Sequence, residues 1–264
     1  MKTATETAAR FPAYRTPPVG TWGVNFQPAL EPAQFAQIHE LIGGTGICRW
    51  RQLFYGVHVP GAWNTVEHVV LPAGSSFGDH VHARTEETYY ILAGTGQLRV
   101  GGDHRGVRAG DLITAPIGTV HGLANDARDD LHLLVVEVYP GSEAPREGAH
   151  VNTAGLMRDV PAGYRGSPDD EMRACSIDLA PYFSGPWGSF TEMEVPPGGR
   201  IATGRTLTAE VLFVAAGASH IAVRDAVYEG TAGAGLSVPL GAGYVISNPS
   251  PDQDLRLVST TVKV

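Results

Sequence analysis

Residues 74–94 read Gly74-Ser-Ser-Phe-Gly-Asp-His80-Val-His82-Ala-Arg-Thr-Glu86-Glu87-Thr-Tyr-Tyr-Ile-Leu-Ala-Gly94, and residues 110–125 supply Gly110-x5-Pro116-x-Gly118-x2-His121-x3-Asn125. A β-strand turns alternate side chains to opposite faces, so His80 and His82 project together while Val81 points away. The run that follows Glu87 is rich in β-formers and ends at Ala-Gly, which predicts a neighbouring strand after a short turn through 83–86. His121 comes after a turn-like Pro116-Ile-Gly118 break and falls on a third strand. Three imidazoles and one carboxylate delivered together suit Mn, Fe, Co, Ni or Zn, and thiolate is absent from the set. On a six-coordinate ion, four such donors would leave two positions for substrate, water or dioxygen.

Between the adjacent acids, Glu87 is the expected ligand, because only it lies six residues before Gly94. Glu86 is then expected on the outer face or at the mouth. The two segments resemble the two sequence motifs of the cupin superfamily, with a short stretch between them. The resemblance implies an all-β chain of small double-stranded β-helix (jelly-roll) barrels. It also implies one divalent metal ion per chain, held by His80, His82, Glu87 and His121, with Fe(II) favoured and Mn, Ni, Co or Zn as alternatives.

A shifted comparison finds the pattern again. Val66-Glu-His-Val-Val-Leu-Pro-Ala-Gly74 aligns with Phe190-Thr-Glu-Met-Glu-Val-Pro-Pro-Gly198. Gly204 then stands for His80, Thr206 for His82 and Glu210 for Glu87, with Gly217 closing the run. Gly243-x5-Pro249 is taken as the second motif, which puts Asp254 where His121 stood. The chain thus resembles a bicupin with a metal-binding first barrel and a degenerate, structural second one. The expected organisation is an arm and short helix over 1–45, the metal-binding barrel over 46–145, a Pro- and Gly-rich linker over 146–170, and the second barrel over 171–264. The helix is read over 31–42 from Pro32 and the spacing of Phe35, Ile38, Leu41 and Ile42, closed by Gly43-Gly44.

A chain of 264 residues with 33 glycines and 19 prolines accommodates two turn-rich barrels, each able to bury a core. The formal charge of −8 argues against nucleic acid or an anionic membrane surface as partner. No run reaches the length of a transmembrane helix, and the first residues carry no apolar stretch of the signal-peptide kind. Cys48 and Cys175 are widely separated and read as free thiols, consistent with a cytoplasmic protein. No Gly-rich phosphate loop and no Gly-x-Ser-x-Gly elbow is present.

A small, mostly apolar organic substrate is expected in the metal barrel. If Glu87 faces inward, so does Tyr89, a candidate donor to substrate. One of Glu67 and His68 must also face inward and is a candidate general base. Arg84, Arg99 and Arg108 flank the motifs as candidate carboxylate clamps, whereas His58, His104, His132 and His220 receive no role. The leading expectation is an Fe(II)-type dioxygenase or oxidase. A redox-neutral isomerase, cyclase or decarboxylase and a non-catalytic binding module are the alternatives. A homodimer is implied by the resemblance alone.

Overall fold

The strands Trp63–Leu71, Glu86–Ala93 and Leu131–Val138 form the middle of a seven-stranded antiparallel sheet. They do so in a computed structural model that describes residues 23–142, 144, 146–160, 172–205 and 207–264. These strands are apolar almost without interruption because both of their faces are covered. On one face Val69, Tyr89, Ile91, Leu133 and Val135 pack with Phe77, Leu98 and Leu123 from a four-stranded sheet, closing a barrel core. On the other, Val66, Tyr90, Leu92, Leu134 and Val136 meet Phe190, Val211, Phe213, Val258 and Val262 of the second half. The period of two therefore sorts neighbouring residues between the interior of a barrel and the seam between barrels.

The second half repeats this plan. Its seven-stranded sheet centres on Thr208–Ala216, Leu255–Lys263 and Trp187–Val195, and its four-stranded sheet contains Arg200–Thr203, Tyr244–Ser247, Ala218–Val223 and Ala226–Thr231. The chain is all-β, with two tandem barrels. Two segments outside the barrels supply edge strands: Asn25–Gln27 pairs with Gly235–Val238 of the second half, and His150–Asn152 of the linker pairs with Asp111–Ala115 of the first. Of the expected N-terminal arm, residues 1–22 lie outside the described residues, as do 161–170 of the linker and residue 171.

The helix predicted over 31–42 does not form. Pro32–Gln34 makes a 3-10 turn, Ala36–His39 is a strand paired with Ile47–Tyr55, and Leu41–Gly43 is a second 3-10 turn. An open strand edge offers the segment backbone partners that a lone helix would lack, and its apolar residues fold over the mouth of the first barrel. The cost is local. Glu40 and the β-branched Ile42 sit at φ 50° and 55°, a conformation such residues rarely adopt. The strap lies so close to the barrel that a Cβ on Gly78 would stand 2.0 Å from the Ile42 carbonyl oxygen.

The register of the repeat also differs from the sequence expectation. Asn125 Nδ2 donates to the Leu71 and Asp129 carbonyls, and Asn248 Nδ2 makes the corresponding bonds to Val195, Pro196 and Gln253. The N–H of Gly110 binds the Ile91 carbonyl as that of Gly233 binds Val214. The second motif is therefore Gly233-x5-Pro239-x-Gly241-x2-Tyr244-x3-Asn248, and Tyr244 occupies the place of His121. Asp254 was misplaced: its carbonyl lies 2.6 Å from where a Cβ on Gly217 would be, as that of Asp130 does at Gly94, so it corresponds to Asp130.

Candidate metal centre

His80 lies directly opposite His121 in the antiparallel pairing of Ser76–Val81 with Val120–Ala124. His82 follows the first strand by one residue, and Glu87 is the second residue of the facing strand Glu86–Ala93. One donor atom from each of the four lies within 4.8 Å of all the others. The His121 Nε2 to Glu87 Oε2 distance is 2.8 Å, His82 Nε2 to the same oxygen is 3.3 Å, and His80 Nε2 to His82 Nε2 is 3.2 Å. Donors ~2.1 Å from a shared ion and at right angles to each other stand about 3 Å apart.

The outward nitrogens fix the tautomers. His80 Nδ1 donates to the Gly78 carbonyl at 2.9 Å and His121 Nδ1 to the Thr119 carbonyl at 3.0 Å, because a carbonyl can only accept. His82 Nδ1 meets the Thr85 hydroxyl at 2.9 Å. With an ion bound, both rings would be neutral and their Nε2 lone pairs aimed inward at it, in place of the His121 Nε2–H that otherwise faces Glu87. The residues fit a divalent ion. Burial works to raise the Glu87 pKa, but hydrogen bonds from His121 and His82 prevail and bring it to about 2. Burial pushes His80 down, opposed by its Gly78 bond. His82 ends raised, because the Glu87 hydrogen bond and charge outweigh its burial.

The donors open onto a cavity of about 300 Å³ walled by Ile38, Leu41, Ile42, Trp50, Val69 and Phe77. Tyr89 lines it, with its ring 5.5 Å from that of His121, and burial followed by the Glu87 charge keeps its phenol protonated. Glu67, not His68, faces inward. Burial raises Glu67 to about 7, against hydrogen bonds from Trp50 and Thr65 and with the added charge of Glu137. Glu137, absent from the sequence reading, lines the cavity beside it, accepts from Asn64 Nδ2 at 2.7 Å and is likewise raised by burial. Its signal was an acid interrupting the apolar run 131–138, opposite Glu87 in register.

Several expected site residues are placed elsewhere. The three arginines are not part of the lining. Arg84 is exposed on the 83–85 turn, Arg99 is tied to Asp79 at 2.7 Å and to the Phe77 carbonyl, and Arg108 is exposed at the end of the strand Asp103–Arg108. Glu86 is not on an outer face: it is fully buried in the seam, for the same reason of alternation that turns Glu87 inward.

His68 is buried in the seam too, against Phe35, Phe213 and His132, and neither ring nitrogen has a partner among the described residues. Burial, then the charges of His132 and Arg51, lower its pKa to about 3. The unfolded chain takes up this proton first, so stability falls as pH drops from about 6.5 toward 3, by about 3 kcal/mol at pH 4. His68→Met, close in volume, should remove that slope. Urea unfolding at pH 7 and pH 4.5 checks it, and a variant with the wild-type acid loss would refute it.

A profile of the cupin domain family matches residues 67–137, a span that contains all four donors. The oxalate-binding protein of Thermotoga maritima is 39% identical over 66 residues, which are 25% of this chain and 54% of that protein, so the chain spans about half of its length. An uncharacterised protein of Methanocaldococcus jannaschii is 30% identical over 97 residues, 37% of this chain and 78% of that one. Among solved structures, the putative glyoxylate-induced protein from Pseudomonas aeruginosa superposes with a TM-score of 0.69 at 14% identity, covering 96% of this chain and 93% of that one. Oxalate decarboxylase from Bacillus subtilis, described with Mn(II) centres, gives 0.65 at 15% identity over 89% of this chain and 76% of that one. At those identities the structural likeness is one of fold. No helix among the described residues is long and apolar enough to cross a membrane.

Proposed function

The chain belongs to the cupin superfamily, and on that premise we propose that its first barrel is a metal-dependent active site for proton transfer on a small organic molecule. The reaction class is redox-neutral, of the isomerase or lyase type. The observation that carries this reading is Glu67, a buried carboxyl held at about 7 in the same small cavity as His80, His82 and Glu87. At neutral pH it is part protonated and part ionised, as a group that both accepts and returns a proton must be. His80, His82, Glu87 and His121 would hold the ion. When bound, it would supply Lewis acidity toward a substrate oxygen.

Each remaining residue has a part. Glu137 raises its neighbour's proton affinity by charge and is itself raised. Tyr89 stays protonated and donates to Glu87, which orients that carboxylate. Ile38, Leu41 and Ile42 of the strap exclude water from the mouth. The cavity holds Glu67, Glu87 and Glu137 with no arginine or lysine among its described lining residues. That charge disfavours a dianion, so the oxalate named for two of the similar proteins transfers poorly to this chain. A neutral carbonyl or hydroxy compound, or a monoanion, suits it better.

The oxygen-dependent reading remains the second. It is favoured by the apolar walls and by a donor set of imidazole and carboxylate without thiolate, which suits Fe(II). Turnover of a panel of small carbonyl and hydroxy compounds by metal-loaded protein, under argon and under air, separates the two. Equal rates support proton transfer, and strict dependence on dioxygen would replace it with the second reading. Glu67→Gln should lower kcat by about 10²–10⁴ with metal content unchanged. It should also abolish a rate limb that rises through pH 7 when the carboxylate acts as base. An unaltered pH profile in the variant would remove Glu67 from the mechanism.

A further inference from the structure

The second barrel has a cavity of about 870 Å³ in the position that corresponds to the metal centre, and its lining brings in the cations that the first cavity lacks. Glu210 alone of the donor set is kept among the described residues. Tyr244 stands for His121, and Thr203 lies opposite it as His80 lies opposite His121. Gly204 follows at the sequence spacing of His80, and Thr206, at the sequence spacing of His82, lies outside the described residues. Strand pairing shows what replaced the acids. Thr261 lies opposite Glu210 as Glu137 lies opposite Glu87, and Thr191 occupies the place of Glu67. Glu210 is buried and accepts from the Tyr244 hydroxyl at 2.9 Å and from Ser259. The cavity gains two cations, Arg205 and Lys263, neither in an ion pair among the described residues, together with hydroxyls from Thr203, Thr208 and Thr261, while Asp178 joins Glu210 as the second acid of the lining.

We propose that this cavity is a second, metal-independent binding site for a small hydroxylated carboxylate of the sugar-acid class. The two cations recognise the carboxylate. Glu210 and the surrounding threonines recognise hydroxyl groups, which can donate to the acid and accept from the alcohols. The Glu210 position was kept, and its carboxylate now sits in a network of hydroxyls. The site is independent of the reaction assigned to the first barrel.

Calorimetry on the full chain tests it with gluconate, glucuronate, glycerate and tartrate, and with sorbitol and inorganic phosphate as controls. At least one acid of the panel should bind with one site per chain, and sorbitol and phosphate should bind at least tenfold more weakly. The double variant Arg205→Ala/Lys263→Ala should weaken binding at least tenfold. A Cβ at Gly204 would meet nothing within 4 Å, so Gly204→Trp can fill the cavity without displacing the barrel and should abolish binding. His80→Ala, in the first barrel, should leave it unchanged. Absence of binding by the whole panel, equal binding of phosphate, or full binding to the Gly204→Trp protein would each overturn the assignment. Loss of binding in His80→Ala would relocate the ligand to the first barrel and overturn it as well.

Discussion

His80→Ala is expected to strip the first barrel of stoichiometric metal while the chain stays folded. Apparent binding free energies for four-ligand protein sites of about 10–16 kcal/mol divide to roughly 3–4 kcal/mol per ligand. Loss of one ligand therefore corresponds to a drop of about 10²–10³-fold in affinity. His80 is the ligand to choose, because it is half-buried and its removal leaves the core residues Leu98 and Leu123 in place. His121 and Glu87 are both buried and joined at 2.8 Å, so truncating either would mix a metal effect with a packing effect. Elemental analysis after dialysis against a weak chelator reads the result, and circular dichroism with thermal melting verifies the fold. A His80→Ala protein that keeps one ion per chain would show that the four side chains are not a ligand set.

The donor set was legible in the sequence for a specific physical reason. Metal ligands on strands must satisfy the period of two, the turn glycines and the spacing between motifs together, and few chance sequences do. The same period left other matters open. It could say that one of Glu67 and His68 faces the cavity, but not which, because both faces of Trp63–Leu71 are buried and both look apolar. The arginines misled because charge near a motif carries no direction: Arg99 sits on the four-stranded sheet, turned to Asp79.

Two misreadings were matters of register. The Gly-x5-Pro spacing occurs twice in the second half, at Gly233 and at Gly243, and the later copy is a coincidence. The Gly241 and Asn248 positions of the full motif would have distinguished them. Over 31–42 the apolar spacing of three and four residues belongs to a short strand flanked by two turns, and only the free edge of Ile47–Tyr55 decides between that and a helix. Local pattern yields there to a tertiary partner.

Glu86→Gln is expected to lower stability by about 3–5 kcal/mol, because it forfeits two hydrogen bonds to a carboxylate at about 1.5–3 kcal/mol each. Glu86 Oε1 accepts from the Ser184 N–H at 2.8 Å and the Ser184 hydroxyl at 2.7 Å, and Oε2 accepts from the Gly185 N–H at 2.9 Å and Trp187 Nε1 at 3.0 Å. All four partners donate. An amide must present its own N–H groups to one of these pairs, leaving at least one backbone N–H buried without an acceptor. The fit is close, since a Cβ on Gly185 would lie 2.8 Å from Oε2. For a chain of this size the change corresponds to a fall in Tm of about 10 °C, readable by calorimetry, and a melting point within a degree or two of the wild type would sink the prediction. The clamp also reaches function. It binds the first residue of Glu86–Ala93 to the second barrel, and alternation then fixes the next side chain, Glu87, toward the three imidazoles. The degenerate barrel thus holds the metal donor of its twin in place through the one acid that the ligand pattern leaves over.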